Sequence, residues 1–139
     1  MVSANVTSSL STLIMANHIL YYHGVLDAFG HISVWNLGNA STFSIARSLA
    51  PALVSSAKDI VELNVADASP TDPNSPKTFV EKFIHSEIIK RFDNVNFVVH
   101  SHSLKVFPYT ITDVPLKAMY HIPGFLGDKR VPNFDIAES

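Results

Sequence analysis

Phe97-Val98-Val99-His100-Ser101-His102-Ser103 is the stretch around which the chain organises itself. A valine-rich apolar run closed by small polar residues reads as a buried strand. Side chains alternate faces along a strand, so His100 and His102 project the same way from its end. Two neutral imidazoles aimed at one point are the beginning of a metal site. The plainer reading of a bare His-x-His is two polar residues where a strand stops. The surrounding sequence has to decide between them.

At 139 residues the chain has room for one domain, 1–139, with a real core. A hydrophobic fraction of 47% against 16% charged residues describes a soluble globular protein. The net charge of -2 offers nothing to nucleic acid or an anionic membrane. With no cysteine, disulfides, thiol catalysis and zinc-thiolate sites are excluded, so any metal must be held by histidine, carboxylate or water. The first apolar stretch has no basic region before it and is interrupted by Asn17 and His18. Neither a signal peptide nor a membrane span is expected, and the default address is cytoplasmic. The sequons at Asn5-Val6-Thr7 and Asn39-Ala40-Ser41 then read as chance matches.

Residues 8 to 23 predict a helix carrying Leu10, Leu13, Ile14, Ile19 and Leu20, with Ser8 or Ser9 as cap and Gly24 at its C-terminus. His31 to Trp35 and Phe43 to Arg47 predict strands of a hairpin across the turn Asn36 to Ser41. Ser48 to Val54 predicts a helical turn and Asp59 to Val65 a third strand. The proline-rich loop 66 to 77 is long enough to have a function of its own. Residues 78 to 91 predict a second helix with Val80, Phe83, Ile84 and Ile88 on one face. Beyond the His-x-His strand come a short helix over 103 to 109, an extended 115 to 120, a glycine-proline loop 121 to 127 and a last strand 131 to 136. Interleaved helices and strands make an α/β or α+β layered domain.

Several blocks together resemble the class II aldolase/adducin-head family. They are Ala16-Asn17-His18-Ile19-Leu20, His23-Gly24-Val25-Leu26-Asp27, Gly30-His31-Ile32-Ser33-Val34 and Arg47-Ser48-Leu49-Ala50-Pro51. Asp59-Ile60-Val61 and the run from Phe79-Val80-Glu81 to His100-Ser101-His102 complete a likeness that covers nearly the whole chain. The resemblance implies an αβα sandwich around a mainly antiparallel sheet, assembled as a homo-oligomer. It also implies a divalent metal, zinc first with iron as alternative, held by histidines, and a glutamate that moves a proton. His100 and His102 match the first two metal ligands, and Glu81 matches the acid/base. Read from the residues alone, Thr78-Phe79-Val80-Glu81 also fits a capping box.

The chain departs from the family pattern in four places. The aldolases' third metal histidine lies in a segment absent here, and His121, with eighteen residues after it, is the one histidine beyond His102. Trp35 stands where many relatives have arginine. His31 replaces the asparagine that phosphosugar aldolases offer to phosphate, and Phe79 and Val80 replace their hydroxyl residues, which argues against a phosphorylated substrate. The family domain also continues past Ser139, so the expectation is either a truncated product or a domain that covers its open sheet edge and apolar helix faces another way, most simply by self-association.

Three functions are therefore in view. The first is a metal-dependent carbon–carbon lyase for a non-phosphorylated carbonyl compound, with His100 and His102 as ligands and Glu81 as acid/base. Water, His121 or a neighbouring subunit would supply the third ligand. The second is a non-catalytic interaction module, as in the adducin head. The third is an iron-dependent oxygenase using His100, His102 and Glu81. His18, His23, His31 and His85 read as structural, with His31 able to face the pocket and His85 a hydrogen-bonding neighbour of Glu81.

Overall fold

The computed structural model describes residues 4–117, and among these the chain folds as a four-stranded sheet flanked by helices. It divides into two compact units, Met1–His102 and Ser103–Ser139. In the first, α1 is Ala4–Tyr22, β1 His31–Trp35, β2 Thr42–Ala46, β3 Ile60–Asn64, α2 Lys82–Arg91 and β4 Phe97–His100. The sheet order is β3-β2-β1-β4 and every pairing is antiparallel. In the second, a 3-10 turn spans Phe107–Thr110, where a short helix over 103 to 109 was expected. The extended segment expected over 115 to 120 has no regular structure up to residue 117, and its remainder lies outside the described residues. So do the loop with His121 and the strand over 131 to 136.

Alternation along β1 sorts the two faces of the sheet. Ile32, with Leu13 of α1 and Leu26, forms one apolar cluster, joined by Ala16, Leu20, Val34 and Ile60. On the other face Phe43, Ile45, Val61, Leu63, Val98 and Ile89 of α2 form the larger core. Phe43, Ile45 and Leu63 are fully buried. Each such side chain contributes about 1.5–3 kcal/mol relative to exposure.

The first helix begins at Ala4, so Ser8 and Ser9 lie inside it and do not cap it. Its buried stripe is Leu13 and Asn17, whereas Ile19 faces outward. Its end is as expected: Gly24 has φ +66°, its amide donates to Tyr21 O at 3.0 Å, and the Val25 amide donates to Leu20 O at 2.9 Å. That is the left-handed close that glycine adopts without Cβ strain.

The second helix starts four residues later than expected. Thr78 bridges Arg47 in an extended pairing, and its hydroxyl donates to Ala46 O at 2.9 Å. Glu81 then becomes the N-cap residue and makes no side-chain cap bond, so the capping-box reading fails. The buried face of α2 is His85, Ser86 and Ile89, with Ile88 half-buried; Val80, Phe83 and Ile84 are exposed. The face turned inward is set by polar partners of His85 on β1 as well as by Ile89 in the core.

Two turns have a plain structural basis. Asp59 accepts from Arg47 Nε at 2.9 Å and from the Ser55 and Ser56 amides at 3.0 and 3.1 Å, tying the end of β2 to the start of β3. Those bonds, the Ser55 amide first and Arg47 next, hold its carboxyl well below the usual carboxylate range despite burial. Trp35, half-buried against the larger core, donates Nε1–H to Ala40 O at 2.9 Å across the hairpin turn. The loop 66 to 77 folds back along β3, with the Thr71 amide on Glu62 O at 3.0 Å and a bridge between Leu63 and Pro70.

Candidate active site

The candidate site lies where the beginning of β1 meets the end of β4. Their register pairs His31 with His100, so both rings leave the same face of neighbouring strands. They stack with centroids 4.8 Å apart and planes 19° from parallel. Gly30 makes this approach possible, because a Cβ there would stand 3.1 Å from His100 O and 2.9 Å from Leu26 Cδ2. β4 stops at His100, earlier than expected, and the chain turns so that His102 folds back. The two Nε2 atoms come within 3.0 Å of each other.

Behind His102 stands Asp27, with both carboxylate oxygens 3.3 Å from Nδ1. Asp27 is itself fixed by an Asx turn, its Oδ1 accepting from the Phe29 and Gly30 amides at 3.0 and 2.7 Å. Partial burial pushes its carboxyl up, but the bonds from Phe29, His102 and Gly30 outweigh this and leave it below the usual range. A carboxylate on Nδ1–H leaves the Nε2 lone pair outward, as metal-ligating histidines require. Two nitrogens bound to one tetrahedral zinc at 2.0–2.1 Å stand about 3.3 Å apart, close to what is seen here. The donor chemistry thus fits a divalent ion at two positions. Among the described residues no set of three or more such side chains shares one point.

A buried chain of polar groups lies on the other side of His31. Its Nδ1 is 2.8 Å from His85 Nε2, and His85 Nδ1 is 2.7 Å from Ser33 Oγ. His31, Ser33 and His85 are all at most 1% exposed. Burial pushes the His31 imidazole down to about 4, with His100 acting in the same sense and Glu81 opposing. Burial, followed by His31, pushes His85 down to about 3. Burial and then His102 lower His100 as well. His31 and His85 are therefore neutral at pH 7.

Glu81 Oε2 lies 3.9 Å from His31 Nε2, and its side chain is 44% exposed. Phe79 covers the outer face of His31, with ring centroids 4.3 Å apart. The two departures at positions 31 and 79 are thus one feature, a histidine sandwiched between Phe79 and His100. Of the residues singled out in the sequence, His31, Glu81, His100 and His102 come together here. His85 bonds to His31 and Ser33, not to Glu81 as expected. His18 is structural, with Nε2 2.6 Å from Val54 O. Sequence reading missed Asp27 and Ser33. The signals were present as an Asp two and three residues before Phe29 and Gly30, and as period-two spacing of His31 and Ser33.

Comparison with known proteins places the chain. The family described as Class II Aldolase and Adducin N-terminal domain matches residues 11–138. This chain belongs to that family. It is 53% identical over 127 residues to the decarboxylase tropJ of Talaromyces stipitatus, covering 91% of this chain and 47% of that protein. It therefore spans about half the length of that relative. Among solved structures, an L-fuculose 1-phosphate aldolase from Glaciozyma antarctica superposes with TM-score 0.61 at 24% identity, over 73% of this chain and 42% of that one. Another L-fuculose 1-phosphate aldolase gives 0.68 at 18%, over 86% and 54%. An aldolase II superfamily protein from Pseudomonas syringae gives 0.69 at 20%, over 81% and 45%. These structures show that the antiparallel sheet and its helices are the class II aldolase fold. A cavity of 170 Å³, lined by Leu10, Val34, Trp35, Ser44, Ile60 and Glu62 among others, shares no residue with the histidine cluster.

Proposed function

We propose that the chain is a divalent-metal-dependent carbon–carbon lyase of the class II aldolase type, acting on a non-phosphorylated carbonyl compound. The observation that carries this is the convergence of His100 and His102 Nε2 at 3.0 Å, with Asp27 behind one ring. The relationship to a protein named as a decarboxylase favours loss of carboxylate from the carbon beside a carbonyl. His100 and His102 would hold the ion, which when bound supplies Lewis-acid polarisation of the substrate carbonyl. The electron pair of the breaking bond moves towards that carbonyl, carbon dioxide leaves, and Glu81, protonated from water, gives that proton to carbon as the carbonyl re-forms. Phe79 and the neutral His31 give the wall beside Glu81 an aromatic, uncharged character, which suits an unphosphorylated substrate. The third ligand comes from water, from His121 or from another copy of the chain. Residues 1–139 belong to one domain of this family, working as a homo-oligomer.

Metal analysis of the purified protein beside its His100→Ala/His102→Ala variant tests this. Near-stoichiometric zinc that disappears in the double variant is the expected result. Iron in its place would favour oxygen chemistry at the same residues. A folded protein that takes up neither ion when supplied would sink both enzymatic readings and leave an interaction module.

A further inference from the structure

Among the described residues His31 Nε2 is buried and has no hydrogen-bond partner, although the atom at the other side of its ring is well bonded. Which nitrogens carry protons follows from the two ends of the chain it belongs to. At the inner end, the one partner of the Ser33 hydroxyl among the described residues is His85 Nδ1. Ser33 is fully buried, so its O–H must donate there or be left unsatisfied. His85 Nδ1 is then an acceptor, its Nε2–H donates to His31 Nδ1, and His31 carries its own proton on Nε2. At the outer end, Glu81 Oε2 stands 3.9 Å from that Nε2. An N–H facing a carboxylate is attracted to it, whereas a lone pair there would be repelled. Both ends select the same direction.

We propose that Ser33, His85 and His31 form a one-way hydrogen-bond relay whose terminal His31 Nε2–H holds the Glu81 carboxylate. His31 is thus a positioning residue and not the missing third metal ligand. A modest rotation of the half-exposed Glu81 side chain closes the contact and satisfies the buried donor. One Glu81 oxygen is then fixed and the other is left towards the substrate. Neither imidazole has to change protonation, so the relay orients Glu81 without competing for the proton it moves. The catalytic consequence rests on Glu81 being the acid/base of the proposed lyase; the relay itself does not.

The test is ¹⁵N-histidine NMR of the full chain in two-bond proton correlation, without substrate, with His31 signals identified by their loss in His31→Gln. His31 and His85 are expected as Nε2–H tautomers. Added zinc should move the His100 and His102 signals and leave the His31 tautomer unchanged. A His31 Nδ1–H tautomer, or zinc bound at its Nε2, overturns the proposal. Ser33→Ala removes the donor that sets the direction and should bring in a second His31 tautomer; one unchanged form in the folded variant refutes the relay. The Glu81 carboxyl ¹³C signal should move in His31→Leu and stay in place in His31→Gln, whose amide N–H keeps the donor. Expected tautomers with no response to zinc would sink the lyase reading and leave the relay standing.

Discussion

Asp27 offers the sharpest separation of site from fold. Its carboxylate meets His102 Nδ1 at 3.3 Å with both oxygens, while Oδ1 also takes the Phe29 and Gly30 amides. Asparagine at this position keeps an Oδ1 for the two amides and loses the charge that orients the imidazole. Loss of such a supporting carboxylate typically costs 10- to 100-fold in metal affinity. Here both side chains are nearly half exposed, at 43% and 47%, so solvent screens the pair and the lower end applies. We expect Asp27→Asn to weaken zinc binding about 10-fold, equivalent to about 1.4 kcal/mol. The assay is competitive zinc titration against a chelator dye at fixed pH, with thermal unfolding of the apoprotein in parallel. The melting temperature should stay near that of the parent, whereas Asp27→Ala should lower it by breaking the turn. In a His102→Ala background the Asp27→Asn effect should vanish, because the coupling runs through that ring. Zinc affinity equal to the parent's in Asp27→Asn, or an equal loss without His102, would refute the reasoning.

Acid sensitivity follows from the buried histidines. Their folded values, about 4 for His31 and about 3 for His85, lie below the unfolded value of 6.5, so below 6.5 the unfolded state binds more protons. Stability is full above 6.5 and falls by about 1.4 kcal/mol per pH unit for each histidine as the pH drops towards those folded values. Urea unfolding at pH 7.5 and 5.5 measures it, and equal midpoints would contradict the neutral pair. Asp59, held low by its bonds, adds its own loss only in the carboxylate range, below roughly pH 4. Gly30→Ala should cost about 1–3 kcal/mol and weaken zinc binding together, since the new Cβ presses on His100 O at 3.1 Å. Parent-like stability and zinc affinity would show that the strands part there without disturbing the site.

The sequence by itself determined the element types and the family. Period-two stretches at His31–Trp35 and Ile60–Asn64, turn residues between β1 and β2, and Gly24 after α1 are local signals that local physics obeys. It also brought His100 and His102 into view through their spacing at a strand end, and His31 and Glu81 through the blocks that resemble the family. What only the tertiary structure decided is how those residues face one another. Periodicity put Val80, Phe83, Ile84 and Ile88 together on one face of the second helix, yet Thr78 pairs with Arg47 and His85 turns inward to Ser33 and His31. A local pattern cannot foresee that, since the partners are 52 and 54 residues away. Asp27 is 75 residues from His102 for the same reason. Register between β1 and β4 is a property of the folded sheet, and it alone sets His31 beside His100.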